Sequence, residues 1–380
     1  MIDIQAALEQ LRTGEEPVRR RVVDELGRSG QPEAITPLLL AVADESWPVR
    51  QAATELLATF DEAALLPHLE TALRDDEDAA MRNAAMEIYV KMGPAAPSAL
   101  LALLADKDEE VRNFAAVMLG ARRERAAVPA LIAALTDPDV NVRHAAAASL
   151  GQIGAAEAVV PLIDALRTEP WLQYPAIHAL GEIGDARAEA PLLALLGDEL
   201  LRAPVMEALG RLAGREALAH LVPHLYDPDV TLRNVAIHAV VSIEQRATAA
   251  GESLDPAVQA ALRREDLVDH LLTTLREDEP TNRRTAAVTL GWLKEPRAEP
   301  LLIECLAEPA LQEYAAHALV SIGFQDREAY RRGLEHASDP IRQGVVRCIA
   351  WIAPPRGIEA LAGGGGALLD GDHGMDGHVA

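Results

Sequence analysis

The sequence predicts an all-α fold, an α-solenoid of about eleven helix pairs stacked side by side. Two observations lead to this prediction. The chain is 49% hydrophobic but only 3% aromatic, so Ala, Leu, Val and Ile dominate, which favours closely packed helices over a sheet. A short motif also recurs about every 31 residues, and self-similarity at a fixed period is typical of repeat architectures. In such proteins one core grows with each added repeat, so the length of 380 residues does not set a number of domains.

The repeat is clearest in VNVRHAAAASLGQIG (140–154), and EEVRNFAAVMLG (109–120) and VTLRNVAIHAVVSI (230–243) share its register. Glutamine occupies the register position at Gln173 and Gln312. Arginine occupies it elsewhere, at Arg19, Arg50, Arg82, Arg112, Arg143, Arg202, Arg233, Arg283 and Arg342. Successive spacings are 29 to 32 residues, with one of 50. Because tetratricopeptide units need about 34 residues, the period indicates a more compact two-helix unit.

Each repeat reads as two helices joined by a short turn. The first helix resembles AVPALIAAL (127–135), with proline in its first turn, where the missing N–H would be unpaired in any case. The prolines in this place are Pro129, Pro161, Pro191, Pro223 and Pro300. The turn TDPDV (136–140) supplies Asp137 or Asp139 as N-cap of the second helix. Asp106, Asp227 and Asp339 are expected to repeat that role.

The second helix has the apolar spacing of a face buried against neighbouring helices. In the best-formed repeat this stripe is Val142, Ala145, Ala146, Ser149, Leu150 and Ile153. Gly151 and Gly154, matched by Gly181 and Gly184, are expected to permit close helix approach and a left-handed helix end.

The register arginines are predicted to be structural. Asp or Glu commonly lies three or four residues earlier, as Asp108 does before Arg112 and Asp139 before Arg143. An Asp and Arg ladder that joins successive repeats is therefore expected instead of an anion-binding stripe. The predicted ladder is Arg50, Arg82, Arg112, Arg143, Arg202, Arg233, Arg283 and Arg342.

The repeats are expected to span residues 1–356 as one solenoid, followed by a Gly-rich tail at 357–380 that we expect to be disordered. The long spacing marks an insertion at about 244–266, in which Asp255 and Pro256 start a short helix. An extended helical hairpin and a protrusion that contacts a partner both remain open for this insertion.

The motif DPDVNVRHAAAASLGQIG, with AVPALIAAL before it, closely resembles the HEAT-like repeats of phycocyanobilin lyase subunits, over about residues 3–353. The resemblance implies stacked helix pairs in a right-handed superhelix whose second helices line the concave side. It is specific for fold and not for function, because bilin lyases, deoxyhypusine hydroxylases, certain DNA glycosylases and many scaffolds share the repeat.

The composition and motifs argue against most catalytic functions. A net charge of −24 opposes binding to nucleic acid or anionic membranes. A deoxyhypusine-hydroxylase-like iron site would need His-Glu dipeptides, and the chain has none, only the reversed Glu335-His336. Signatures of nucleotide-binding or hydrolytic sites are also missing. We therefore predict a non-catalytic protein-binding scaffold with no catalytic residue, metal or cofactor. The alternative is a bilin-lyase-like or deoxyhypusine-hydroxylase-like enzyme or enzyme subunit.

The candidate binding surface consists of the positions one and five residues after each register residue, which lie on one face of the helix because i and i+4 are neighbours. Acidic residues at Asp24, Glu55 and Glu87 indicate a basic segment of a protein partner. Trp171 and Tyr174 are the strongest contact candidates, because the array departs from its own pattern there. The predicted partner-binding residues are Asn83, Glu87, Asn113, His144, Trp171, Tyr174, His178, Glu207, Asn234, His238 and His317.

The remaining features indicate a cytoplasmic protein, which we expect to be a monomer. Cys305 and Cys348 give no disulfide framework and no CxxC metal pair, so we expect two small core residues in a reducing compartment. The N-terminal segment MIDIQAALEQLRTGEE lacks the basic and apolar regions of an export signal, and no apolar run of about 18 residues follows.

Overall fold

The computed structural model describes residues 3–57, 59–75, 78–277, 279–323 and 325–352. These ranges contain 23 α-helices and short 3₁₀ turns, with no strand. The α-helices are α1 Ile4–Thr13, α2 Glu16–Ser29, α3 Ile35–Val42, α4 Trp47–Leu57, α5 Glu62–Leu73, α6 Ala79–Lys91, α7 Ala96–Leu103, α8 Glu109–Ala121, α9 Val128–Ala134, α10 Val140–Ile153, α11 Val159–Thr168, α12 Gln173–Ile183, α13 Glu189–Leu193, α14 Arg202–Leu212, α15 Leu218–Leu221, α16 Val230–Ala249, α17 Pro256–Leu262, α18 Glu265–Glu277, α19 Pro280–Leu293, α20 Glu299–Cys305, α21 Gln312–Ile322, α22 Arg327–Leu334 and α23 Asp339–Ile352.

The helices form eleven pairs, because every register residue lies in a separate second helix and only α17 stands outside a pair. The predicted all-α solenoid of about eleven helix pairs is thereby confirmed. By internal contacts the described residues divide into two compact units, one up to residue 217 and the other from residue 218. Successive second helices pack on one another within each unit, as α8, α10 and α12 do in the first and α19, α21 and α23 in the second. The predicted tail at 357–380 lies outside the described residues.

The prolines predicted to start the first helices do lie in their first turns, as Pro129 does in α9 and Pro300 in α20. Pro223 is different, because it lies in a 3₁₀ turn, Val222–Tyr226, that follows the four-residue α15. A further 3₁₀ turn leads into several first helices, as Arg125–Ala127 leads into α9. The first helices are therefore shorter and less regular than the second helices.

Helix α10 shows how a second helix begins and what it buries. All six residues of the predicted apolar stripe are buried, including Leu150. Asp139 is the N-cap and accepts hydrogen bonds from the backbone N–H groups of Asn141, at 2.9 Å, and Val142, at 3.1 Å. The equivalent caps of α8 and α16 are Asp108 and Asp229. Asp137, Asp106 and Asp227, which the sequence also offered as caps, are not caps, because each lies two residues before the capping position.

At Asp44, Asp106 and Asp137 the earlier aspartate of the turn has another role, in which it joins two repeats. The Nε and Nη2 atoms of Arg112 donate to the carboxylate of Asp137, 25 residues ahead, at 2.9 and 2.8 Å. Arg143, in the same repeat as Asp137, donates from Nη1 to the Asp137 carbonyl oxygen at 2.7 Å. Asp44 is held in the same way, by Arg19 through its carboxylate at 2.7 and 2.8 Å and by Arg50 through its carbonyl at 2.7 Å.

This geometry corrects the predicted ladder. Asp108 and Asp139 cap their own helices, so the carboxylate that binds Arg112 comes from the following repeat. The physical reason is that helical side chains point toward the N-terminus, which directs the guanidinium to the turn before its own helix. Every predicted ladder arginine donates to a carbonyl of that preceding segment, namely Arg50, Arg82, Arg112, Arg143, Arg202, Arg233, Arg283 and Arg342.

Two kinds of glycine have the roles expected for them. A Cβ atom on Gly151 would lie 2.8 Å from the Cα of Ala179 in the next second helix, and one on Gly291 would lie 2.8 Å from the Cα of Ala318. These glycines therefore allow adjacent second helices to approach closely. Gly154 ends α10 in the left-handed region at φ 70°, as the sequence predicted.

The insertion packs on the second unit. Helix α16 continues to Ala249, and α17 begins at Pro256 with Asp255 as its cap. Val258 and Leu262 are buried, and the Tyr226 hydroxyl donates to the carbonyl of Ala261 at 2.8 Å. The apolar face of α17 is consequently covered by its own unit.

We expect Arg112→Ala to lower the free energy of unfolding by about 2 kcal/mol, because it removes charge-assisted hydrogen bonds and leaves the Asp137 carboxylate without its cation. Arg125→Ala is the control, since Arg125 pairs with Glu157 at an exposed site, where such a pair contributes ~0.5 kcal/mol. Urea unfolding followed by circular dichroism measures both changes. Equal losses in the two variants would contradict the structural role of Arg112.

We expect Gly151→Ala to destabilise the chain by about 1 to 3 kcal/mol, because the added methyl group overlaps the backbone of α12. Gly197→Ala is the matched control, since a Cβ there meets no atom within 4 Å and the backbone is not left-handed. Thermal unfolding should show a lower midpoint for the first variant alone. An unchanged midpoint in Gly151→Ala would mean that the two helices are not held in close contact.

We expect the stability of the chain to fall at acidic pH as the Asp106 carboxylate becomes protonated. Hydrogen bonds from Arg74, at 2.6 Å, and from the backbone N–H of Asp108 hold the pKa of the Asp106 carboxyl at about 2. The unfolded carboxyl has a pKa of about 3.9, so this stabilisation is complete above about pH 4 and disappears as the pH falls toward 2. Asp106→Asn should therefore be less stable than the wild type at pH 6, with the difference shrinking below pH 4. Glu335→Gln, at an exposed site, is the control and should be as stable as the wild type at pH 6.

Candidate functional site

The positions one and five residues after each register residue form what we call the second-helix face. Exposure divides the predicted partner-binding residues on or beside this face into two groups. The half-buried ones are Asn113, His144 and Asn234. The exposed ones are Asn83, Glu87, Trp171, Tyr174, His178, Glu207, His238 and His317. The register arginines point back toward the preceding turn, so most of the predicted partner-binding residues on this face are accessible, although His144 and His238 also contact the neighbouring repeat.

The acidic residues at the start of the first unit are partly neutralised by their own helices. Glu87 lies 2.6 Å from the ammonium of Lys91, and Asp24 lies 3.3 Å from the guanidinium of Arg20. Glu55 instead accepts a hydrogen bond from the neutral amide of Gln51 at 2.9 Å. The negative charge expected from the sequence is present, although two of these three carboxylates already have a cationic neighbour.

The repeat around Trp171 differs from the others in its turn. Residues Pro170–Leu172 form a 3₁₀ turn that runs directly into α12. Leu172 is buried and anchors the turn, whereas the Trp171 side chain is 75% exposed. Gln173 donates from its amide to the carbonyl of Leu166 at 3.1 Å, which reproduces the arginine bond to the preceding segment. The repeat therefore keeps the hydrogen bond from its register residue to the preceding helix, and the indole of Trp171 faces solvent.

Tyr174 lies beside this turn and is 63% exposed. The Nε2 atom of His144, on the neighbouring second helix, is 2.6 Å from the carbonyl oxygen of Trp171. The structure thus brings Trp171, Tyr174 and His144 together. His144 contacts the backbone at this site and supports the turn that presents the two aromatic side chains.

The three recurring histidines have different neighbours. His178 lies 3.8 Å from Glu182 on its own helix, His238 lies 3.1 Å from the Thr285 hydroxyl, and the His317 ring is 5.8 Å from that of Trp351. Within the described ranges, no three His, Cys, Asp or Glu side chains lie close enough together to hold a metal ion.

The two cysteines are buried core residues, as the sequence predicted. Burial raises the pKa of both thiols, that of Cys348 to about 11. A neutral, enclosed thiol is a poor nucleophile. Cys305 and Cys348 therefore contribute to packing and offer no reactive group.

A cleft of about 150 Å³ opens in the second unit between α16, α19 and α21. Among the residues around it, His238 is a predicted partner-binding residue. The other lining residues are Val241, Gln245, Thr281, Arg284, Thr285, Val288 and Tyr314. Arg284 and Val288 also lie on the second-helix face. The sequence pattern of one helix does not reveal the cleft, because its lining residues come from three different helices.

No described helix is both long and apolar enough to cross a membrane.

Among solved structures, Kap95p, from a structure of its complex with RanGDP, resembles the chain with a TM-score of 0.55. The match has 15% identity and covers 92% of this chain and 56% of Kap95p, so it shows the fold alone. The complex of CpcE and CpcF of phycocyanin lyase from Nostoc sp. PCC7120 matches at 24% identity over 68% of this chain and 94% of that chain, with a TM-score of 0.42. A comparison with curated proteins gives no significant match.

The family comparison agrees with the repeats seen in the structure. The profile of HEAT repeats matches residues 4–88, 97–174 and 160–240, which together make up more than half of the chain. The profile of the PBS lyase HEAT-like repeat matches residues 283–308, which begin at the register position of α19. The chain therefore belongs to the HEAT-repeat family.

Proposed function

We propose that this chain is a non-catalytic scaffold that binds protein partners on its second-helix face, as a cytoplasmic monomer. The exposure of Trp171 and Tyr174 is the observation that carries the proposal. Large aromatic side chains exposed together on a soluble protein are unusual and commonly mark an interaction site. Trp and Tyr also contribute most to binding energy in protein interfaces, because each buries a large area at a small loss of conformational freedom.

The surroundings of this pair support a protein ligand. The turn at Pro170–Leu172 is held by the buried Leu172, by His144 and by Gln173. The aromatic side chains therefore rest on a fixed backbone before a partner arrives, which lowers the entropy lost on binding. A sequence variation without a binding role would not require two large aromatic side chains to be exposed side by side.

We infer that the partner segment is basic. The chain carries a net charge of −24, which attracts cationic segments over a long range. On the second-helix face of the first unit, Glu55 and Glu207 are exposed, and neither forms an ion pair with a described cation. Glu207 lies on α14, which packs on α12, so a basic residue of the partner segment can pair with Glu207 while an apolar neighbour contacts the aromatic pair.

The alternative inferred from the resemblance, a bilin-lyase-like or iron-dependent enzyme, has no specific observation in its favour. It can be tested separately by absorbance and metal analysis of protein purified from its native cells. A bound tetrapyrrole or stoichiometric iron would support the enzyme and contradict a pure scaffold.

We expect the double variant Trp171→Ala/Tyr174→Ala to lose its partner while it keeps its fold. The contact from His144 is to the backbone carbonyl of Trp171, so truncation of the side chain leaves it in place. Partners captured by the wild-type chain from native extract are identified and purified, and their affinities measured by calorimetry. Loss of both aromatic anchors should weaken binding at least a hundredfold, given about 2 kcal/mol or more for each.

Trp47→Ala is the matched control, because Trp47 is also exposed, at 63%, near the start of another second helix. This variant should bind as the wild type does. A partner that binds the double variant with unchanged affinity would show that the aromatic pair is not the binding site.

A further inference from the structure

The cleft in the second unit is lined by Arg284, a cation that forms no ion pair with another described residue. Arg283 and Arg284 are adjacent in α19 but have opposite roles. Arg283 is held by the Glu308 carboxylate at 2.6 and 2.8 Å and by the Leu275 carbonyl at 2.9 Å. Its charge is therefore neutralised within the fold.

Arg284 has only neutral acceptors. Its Nε donates to the carbonyl of Pro280 at 3.3 Å, and its Nη2 donates to the hydroxyl of Thr281 at 3.2 Å. Among the described residues, no carboxylate lies within ion-pair distance of this guanidinium. Its charge therefore remains available at the cleft, in a chain with a net charge of −24.

The rest of the cleft wall suits a small polar group on an aliphatic stem. The Arg284 guanidinium carbon lies 5.8 Å from the centre of the Tyr314 ring, which favours a fixed position for the cation. Thr285 and Gln245 add polar groups, and Val241 and Val288 add apolar surface. A volume of about 150 Å³ is smaller than the several hundred Å³ of a cofactor pocket, so it fits one side chain.

We propose that this cleft binds the carboxylate side chain of an Asp or Glu residue in a partner peptide, an inference that rests on the proposed scaffold function. A guanidinium and a carboxylate form paired, charge-assisted hydrogen bonds of matching planar geometry. A polyanion such as nucleic acid is disfavoured, because the cleft offers one arginine and the rest of the chain repels extended negative charge. The second unit thus prefers an acidic residue, whereas the first unit attracts a basic segment.

The test uses the full chain and a displayed library of random nine-residue peptides. Peptides selected by the wild type are expected to share one Asp or Glu. In fluorescence anisotropy, changing that residue to Asn or Gln should weaken binding about tenfold or more. Arg284→Gln should weaken the original peptide equally, and combining both changes should add no further loss. A phosphoserine at the same peptide position should bind no better than the carboxylate.

Arg347→Gln is the matched control, because Arg347 is an exposed arginine on the second-helix face of the same unit, outside the cleft. Its affinity should equal that of the wild type, and thermal unfolding should confirm that both variants are folded. The inference is overturned if the selected peptides share no acidic residue, if phosphoserine binds and carboxylate does not, or if Arg284→Gln leaves the affinity unchanged. If the aromatic pair still binds a protein partner in those cases, only this inference fails. Absence of any ligand at either site would also remove the proposed function.

Discussion

The ion pair between a register arginine and the turn aspartate of the next repeat links successive repeats in the first unit, from Arg19 to Asp44 and from Arg112 to Asp137. In the first unit the Asp137 carboxylate binds an arginine of the preceding repeat, while its carbonyl binds an arginine of its own repeat. Its carboxylate also accepts the backbone N–H of Asp139, the residue that caps α10. One residue therefore fixes the turn, the start of a helix and the distance between two repeats. Because the three contacts converge on a single side chain and its carbonyl, a shift of one repeat disturbs its neighbours.

This arrangement determines which surface remains for binding. The register arginine turns back toward the N-terminal end of its helix, and Gly151 faces the next second helix so closely that an added Cβ atom would overlap Ala179. The residues one and five places after the register take part in neither contact. They can change from acidic Glu55 to aromatic Tyr174 to cationic Arg284 without altering the stacking. Surface variation on a constant frame is what allows repeat proteins to bind different partners with one fold.

At each of the two sites proposed for binding, an arginine lacks a carboxylate partner in the part of the chain that the structure describes. In the repeat that contains Trp171, α11 runs on to Thr168, which lies 25 residues after Arg143, the place that Asp137 holds after Arg112. The Nε atom of Arg143 is consequently buried without a hydrogen-bond partner among the described residues. This repeat lacks the ion pair, and its 3₁₀ turn carries the exposed Trp171 beside Tyr174 on the second-helix face. In the second unit, Glu308 pairs with Arg283, and the adjacent Arg284 has no carboxylate partner among the described residues.

The sequence by itself determined the class of fold, the register of the eleven second helices and the role of their apolar stripes. These features follow from a local pattern of residues that recurs in each repeat. It also placed the glycines and the exposed aromatic pair. It could not assign the partners of the arginines, because the Asp137 carboxylate that binds Arg112 lies 25 residues away and Asp108 was nearer in sequence. The buried Glu299, which accepts the backbone N–H of Gln325 at 3.0 Å, gave no signal for the same reason. The cleft at Arg284 was decided only by tertiary structure, since it exists where three helices separated along the chain bring their side chains together.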